Sequence, residues 1–254
     1  MKRALALVFT LAFIGAAQAA TPFDLYEQGK YDAAIAAGLA QNDAAGFAIA
    51  ARAELAVEAM RDTGCLDCIL HAQDDARKAI AADPKNPDGH VFLAVALGRE
   101  GRQLSTFTVL RRGYPSQAKA QLDAAIAADP KSYFAWSALG GWNIEIVHKG
   151  GASAARLMYG ASLADGLAAF DKAFALAPDN IGIRYQYALT LSAYDVDAYR
   201  GKIADALARA ANGKANGLYE SFVQGRAKEL KAALDKDDMA RFDQLVSRDQ
   251  GNPQ

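Results

Sequence analysis

LDAAIAADPKSYFAWSALGGW, residues 122–142, holds the end of one helix, a proline turn and the first half of the next helix. Leu122 and Ala125 stand at helical spacing. Asp129-Pro130 stops that helix, because proline lacks an N–H and clashes with the preceding turn. Trp136, Leu139 and Gly140 then open a second apolar period. The phrase recurs as ARKAIAADPKNPDGHVFLAVALG at 76–98 and as FDKAFALAPDNIGIRYQYALTL at 170–191. The turn prolines are Pro84, Pro130 and Pro178, 46 and 48 residues apart. Five residues before each stands Ala79, Ala125 or Ala173, and eight before stands Ala76, Leu122 or Phe170. Nine residues after stands Leu93, Leu139 or Tyr187, each followed by a small residue, Ala94, Gly140 or Ala188. Big–small pairs in a fixed register let paired helices interlock. These features predict an all-α chain, a right-handed α-solenoid of antiparallel hairpins.

Working outward, residues 23–42 place Gly29 at a helix end, with Tyr31 and Ala34 starting the next helix. Residues 43–62 have helical period, with Asp43 as N-cap. Helices follow over 65–82 and 88–99, the latter ended by Gly101. Residues 103–116 carry a β-branched run, Arg111-Arg112, Gly113 and Pro115, and read as a short helix or loop inserted before a helix over 117–128. A long aromatic helix covers 132–149, a second insert 152–162, and helices 163–176, 181–194 and 199–211. Residues 195–197 break the pattern. Charged helices over 216–235 and 238–247 suit the capping that end repeats need, and 251–254 should fray.

The first residues differ from the rest. Lys2 and Arg3 precede an uncharged apolar run, 4–17, and Ala17-Gln18-Ala19 is a small-x-small cleavage site. This predicts a secretory signal peptide over 1–19 and a mature domain over 20–250. No cysteine follows the run, which argues against a lipid-modified N-terminus. The expected destination is the periplasm. No later stretch has the length and apolarity of a membrane span. The formal charge, 28 cations against 29 anions, gives no basic surface for nucleic acid.

The order Trp136, Leu139-Gly140, then Phe170, Ala173 and Pro178 resembles the tetratricopeptide repeat, and Gly29, Tyr31 and Ala34 resemble its middle section. That repeat has a period of about 34 residues, so about 12 to 14 extra residues sit between the paired helices of the central units. Residues 138–180 are also similar to the regulator-of-microtubule-dynamics family, whose members resemble tetratricopeptide proteins. Gly141-Trp142 and Met158-Tyr159-Gly160 would correspond to its Gly-Arg-Trp-like and Leu-Phe-Gly-like elements. The arginine of the first element is absent here.

Motifs for chemistry are few. Cys65 and Cys68 are the only cysteines. At a helix N-terminus, backbone N–H groups favour a thiolate, so the pair reads either as a redox dithiol or as a structural disulfide of an oxidising compartment. No βαβ context supports a thioredoxin scaffold, no histidine follows for haem attachment, and His71 alone does not complete a zinc site. His90 and His148 have no nucleophile spaced to form a triad. Gly98–Gly101 and Gly140-Gly141 lack the Lys-Ser/Thr of a phosphate loop. No cofactor or metal is expected, and the chain reads as a non-enzyme.

The resemblance to tetratricopeptide repeats implies a concave groove lined by Phe134, Ser137, Gly141 and Glu145, then by Tyr185 and Leu189, and in the preceding unit by Val91 and Val95. Such a groove is mostly apolar, with Glu145 as its charge, and suits an extended or helical segment of a protein or peptide partner. Alternatively the inserts fill it. The resulting expectation is an exported scaffold without catalysis. A thiol–disulfide protein using Cys65 and Cys68, or a carrier of an apolar small ligand, are the alternatives.

Overall fold

A computed structural model describes residues 19–62 and 64–251. The expected signal peptide lies outside the described residues except for Ala19, and so do residues 252–254 of the expected frayed end. Among the described residues there are thirteen helices and no strand. They are α1 (Pro22–Glu27), α2 (Tyr31–Gln41), α3 (Ala44–Met60), α4 (Leu66–Ala82), α5 (Pro87–Arg102), α6 (Thr106–Arg111) and α7 (Tyr114–Ala128). There follow α8 (Tyr133–Gly150), α9 (Ala152–Tyr159), α10 (Leu163–Leu176), α11 (Ile181–Asn212), α12 (Gly217–Asp235) and α13 (Met239–Asp249).

Most starts are set by side chains that accept one of the otherwise unpaired first-turn N–H groups. Asp43, Asn86, Ser132, Ser162 and Asn180 each accept from the residue three positions on. Pro87 and Pro115 stand in the first turns of α5 and α7, where no N–H is needed. Several boundaries differ from expectation; α7, for one, starts at Tyr114 and not at 117. Gly101 does not end α5, which continues to Arg102, a residue paired with Glu145. The break at 195–197 is a kink inside α11, where Asp195 is extended (φ −165°, ψ 93°) and its carboxylate accepts the Ala198 N–H, capping the second half.

Neighbouring helices pair as α3 with α4, α5 with α7, and α8 with α10, in the manner of an α-solenoid. The α8–α10 pair is closely packed. A Cβ on Gly140 would lie 2.5 Å from the Phe170 ring, and one on Gly166 would lie 2.7 Å from Ile144. The big–small register read from the sequence is therefore a contact between these two helices. Ala135 is fully buried, whereas Trp136, at the head of the second apolar period, is half-buried and donates its indole N–H to the Pro130 carbonyl. Trp142 does enter a core cluster, with Leu122 and Val147.

The two inserts are α6 and α9. Each joins the first helix of a pair to the second, so both lie on the edge of the solenoid opposite the proline turns. The disulfide-bearing connection between α3 and α4 lies on that edge too. The last two helices fold back. Arg226 of α12 pairs with Asp62 beyond α3, Tyr219 of α12 meets Tyr26 of α1 at 6.5 Å, and Gly29 approaches Leu218 so closely that a Cβ would lie 2.2 Å away. The solenoid's end thus touches its beginning.

Candidate functional site on the concave face

The concave face was expected at Val91, Val95, Phe134, Ser137, Glu145, Tyr185 and Leu189. Val91, Ser137, Tyr185 and Leu189 are buried, and Val95, Phe134 and Glu145 are half-buried. These residues do not line an open groove. Over Tyr185 and Leu189 the cover is the C-terminal hairpin and not the inserts, while Val91, Val95 and Phe134 pack in a separate cluster with α3, α4 and α7. Tyr185 and Leu189 share one core cluster with Val223 and Leu230 of α12 and Phe242, Leu245 and Val246 of α13. Phe134 lies against the Arg52 guanidinium, 5.2 Å from the ring centroid, and Arg52 also lies 4.4 Å over the Tyr26 ring.

Polar contacts hold the hairpin's end in place. The Tyr185 hydroxyl donates to Asp249 at 2.5 Å, and Arg226 reaches the same carboxylate at 3.4 Å. Arg102 donates to the Gln250 carbonyl and Gln103 to the Gly251 carbonyl. Burial pushes the Asp249 carboxyl up to about 6; the Tyr185 hydrogen bond and the Arg226 charge pull it down, without prevailing. Burial and the neighbouring Asp249 carboxylate raise Tyr185 well above the ordinary phenol value.

Glu145 does not stand as a lone groove charge. Arg102 pairs with it at 2.9 Å and Lys149 at 3.0 Å. Burial alone would raise this carboxyl, but the two cations outweigh burial and hold it down to about 2. Beside the pair is a pocket of about 150 Å³ bordered by Arg102, Glu145, His148, Lys149, Thr190 and Tyr194. Ligand pockets are commonly about 300–1,000 Å³, so this one is small for an apolar carrier. His148 is exposed, with its ring 6.1 Å from that of Tyr194. His90 is buried, bonded to Gln121 and to the Pro84 carbonyl, and is a packing residue. Among the described residues no group of three His, Cys, Asp or Glu side chains is placed to hold a metal ion.

Cys65 and Cys68 are joined by a disulfide, with Cα atoms 5.3 Å apart. Cys65 is the N-cap of α4: its sulfur accepts the Cys68 N–H at 3.2 Å and lies 3.4 Å from the Arg61 guanidinium.

Sequence reading missed Arg102, Arg226 and Asp249, which fasten the end of the C-terminal hairpin beside Tyr185. One signal was available. Phe242, Leu245 and Val246 form an apolar stripe at i, i+3 and i+4 on an otherwise charged helix, and such a stripe requires a surface to bury it.

Paired antiparallel helices with a covered concave face define an all-α helical-repeat protein. Within that class, the sequence profile of the family described as Regulator of microtubule dynamics protein 1-3 matches residues 40–200. That is more than half of the chain, which belongs to this family. The match runs from the end of α2 into the second half of α11, well beyond the 138–180 stretch that carried the resemblance. No individual curated protein gives a significant match.

Proposed function

We propose that the chain is an exported, non-catalytic scaffold of tetratricopeptide-like repeats that binds a protein or peptide partner on its concave face. One observation carries this reading: α13, an amphipathic helix, packs in one cluster with Tyr185 and Leu189, with Phe242, Leu245 and Val246 buried and the Asp249 side chain at its end held by Tyr185 and Arg226. The face accommodates a helix with an apolar stripe and an acidic end, and a partner of that kind would displace α13. Export to the periplasm is supported by Lys2, Arg3, the apolar run and the Ala17–Ala19 cleavage pattern. Pull-down from the exported fraction tests the reading. A Tyr185→Phe/Arg102→Ala variant, with α13 more weakly held, should recover severalfold more of a partner than the wild type. Phe134→Ala should recover less. Equal recovery by all three folded proteins would sink groove binding.

A second reading, a thiol–disulfide protein, is favoured by the Arg61 guanidinium and the Cys68 N–H beside the Cys65 sulfur. Both would stabilise a thiolate there after reduction. Alkylation of the reduced protein across pH should then place the Cys65 thiol at least about one unit below the ordinary 8.5, with Arg61→Ala restoring it. A Cys65 titration at the ordinary value would end this reading.

A further inference from the structure

We propose that the edge formed by α6 and α9 docks the protein flat on an anionic membrane surface. The two inserts present the three most exposed large apolar side chains described, Leu157 at 87 %, Phe107 at 74 % and Met158 at 63 %, together with Leu110 at 48 %. These residues are spared from the core by the inserts' own anchors. Ala155 and Tyr159 hold α9 against Trp142, and Val109 lies near Gly101 of α5. The opposite sides of both short helices are thereby free to project outward. Phe107, Leu110 and Arg111 fall within one helical face of α6.

Charge selects the occupant. Residues 103–116 and 148–162 contain Arg111, Arg112, Lys149 and Arg156 and no aspartate or glutamate, in a chain whose formal charge is −1. All four cations are exposed. Arg112, Lys149 and Arg156 each also reach a carboxylate, of Glu100, Glu145 and Asp165, at the inserts' roots. Apolar residues flanked by arginine and lysine are what an interfacial site needs, the apolar tips entering the headgroup boundary and the cations meeting lipid phosphates. Shape argues against a protein groove-binder. The apolar groups sit on two separate projecting tips in successive hairpins, so a plane touches both, whereas a single partner helix needs a continuous furrow. Among the described residues no helix is long and apolar enough to cross a membrane, so attachment at this edge is peripheral.

The test uses the processed chain from residue 20, which contains every core cluster and lacks the apolar N-terminal run, itself able to bind lipid. Sedimentation is measured with vesicles of phosphatidylcholine alone and with phosphatidylglycerol added. The wild type should partition at least tenfold more strongly to the anionic vesicles, and raised salt should weaken it. Phe107→Ser/Leu157→Ser/Met158→Ser should lose most of that binding, and Arg111→Gln/Arg156→Gln should lose the preference for anionic lipid, with helical content and melting unchanged. No binding by the wild type, equal binding to both vesicles, or unaltered binding by the folded triple variant would overturn the proposal. So would a triple variant that keeps vesicle binding but changes self-association or loses an acidic protein partner.

Discussion

Gly140 and Asp249 show how much one side chain decides here. At Gly140 the backbone of α8 comes so close to α10 that even a methyl would meet the Phe170 ring and the Gly166 carbonyl, at 2.5 Å and 3.0 Å. Gly140→Ala should therefore destabilise the protein by about 1–3 kcal/mol, read as a lower melting temperature. Gly201, on the exposed side of α11, has nothing within 4 Å of such a methyl. Gly201→Ala should instead gain up to about 1 kcal/mol from helix propensity. Asp249 sets a pH dependence. Its carboxyl is raised from 3.8 to about 6 by burial, so the folded chain holds this proton more tightly than the unfolded one. The stabilisation is complete below pH 3.8 and is lost as pH rises through 6, amounting to about 3 kcal/mol at most. Glu145 works the other way: held at about 2, it stabilises above pH 4.5 and fails as pH falls from 4.5 to 2. The protection of α13 against hydrogen exchange, taken relative to the intrinsic exchange rate at each pH, should accordingly be greater at pH 5 than at pH 7.5, and Asp249→Asn should remove most of that difference.

Among the elements, α13 differs most from its sequence reading. The helices, the Asp43 cap and both inserts were legible because each is written locally, in a proline, a capping aspartate or an apolar period. The position of α13 was not. It depends on pairs such as Arg226–Asp62 and Tyr185–Asp249, separated by 164 and 64 residues, which no local pattern reveals. What covers Tyr185 and Leu189 was invisible for the same reason. Phe242 carries the docking, being completely buried. Phe242→Ala should cost about 3–5 kcal/mol, and proteolysis of the folded variant should cut first in the α12–α13 turn at 236–238. If cleavage begins elsewhere, α13 is not the weakest-held element. The kink in α11 gives a smaller effect. Asp195→Ala removes a cap and should cost about 1 kcal/mol in denaturant unfolding.

For the whole molecule the governing fact is that α12 reaches α1. An open repeat array has only neighbour contacts, and its ends can unfold while its centre stands. Here Tyr26 meets Tyr219 and Arg226 bridges to Asp62, so loss of the C-terminal hairpin exposes the first pairs as well. Urea unfolding followed by tryptophan fluorescence, which reports α8, and by circular dichroism, which reports all helices, should give coincident transitions. Arg226→Ala should separate them, with the circular-dichroism change beginning at lower urea.

That same contact alters how the protein would bear a load. A stack of hairpins pulled from its two ends extends as a compliant spring, each unit yielding a little. With α1 seated against α12, the first pull would act on a clasp, and extension would wait until Tyr26 parts from Tyr219 and Arg226 from Asp62. The force trace should then open with one abrupt peak followed by soft lengthening, so the molecule would act as a latch before it acted as a spring.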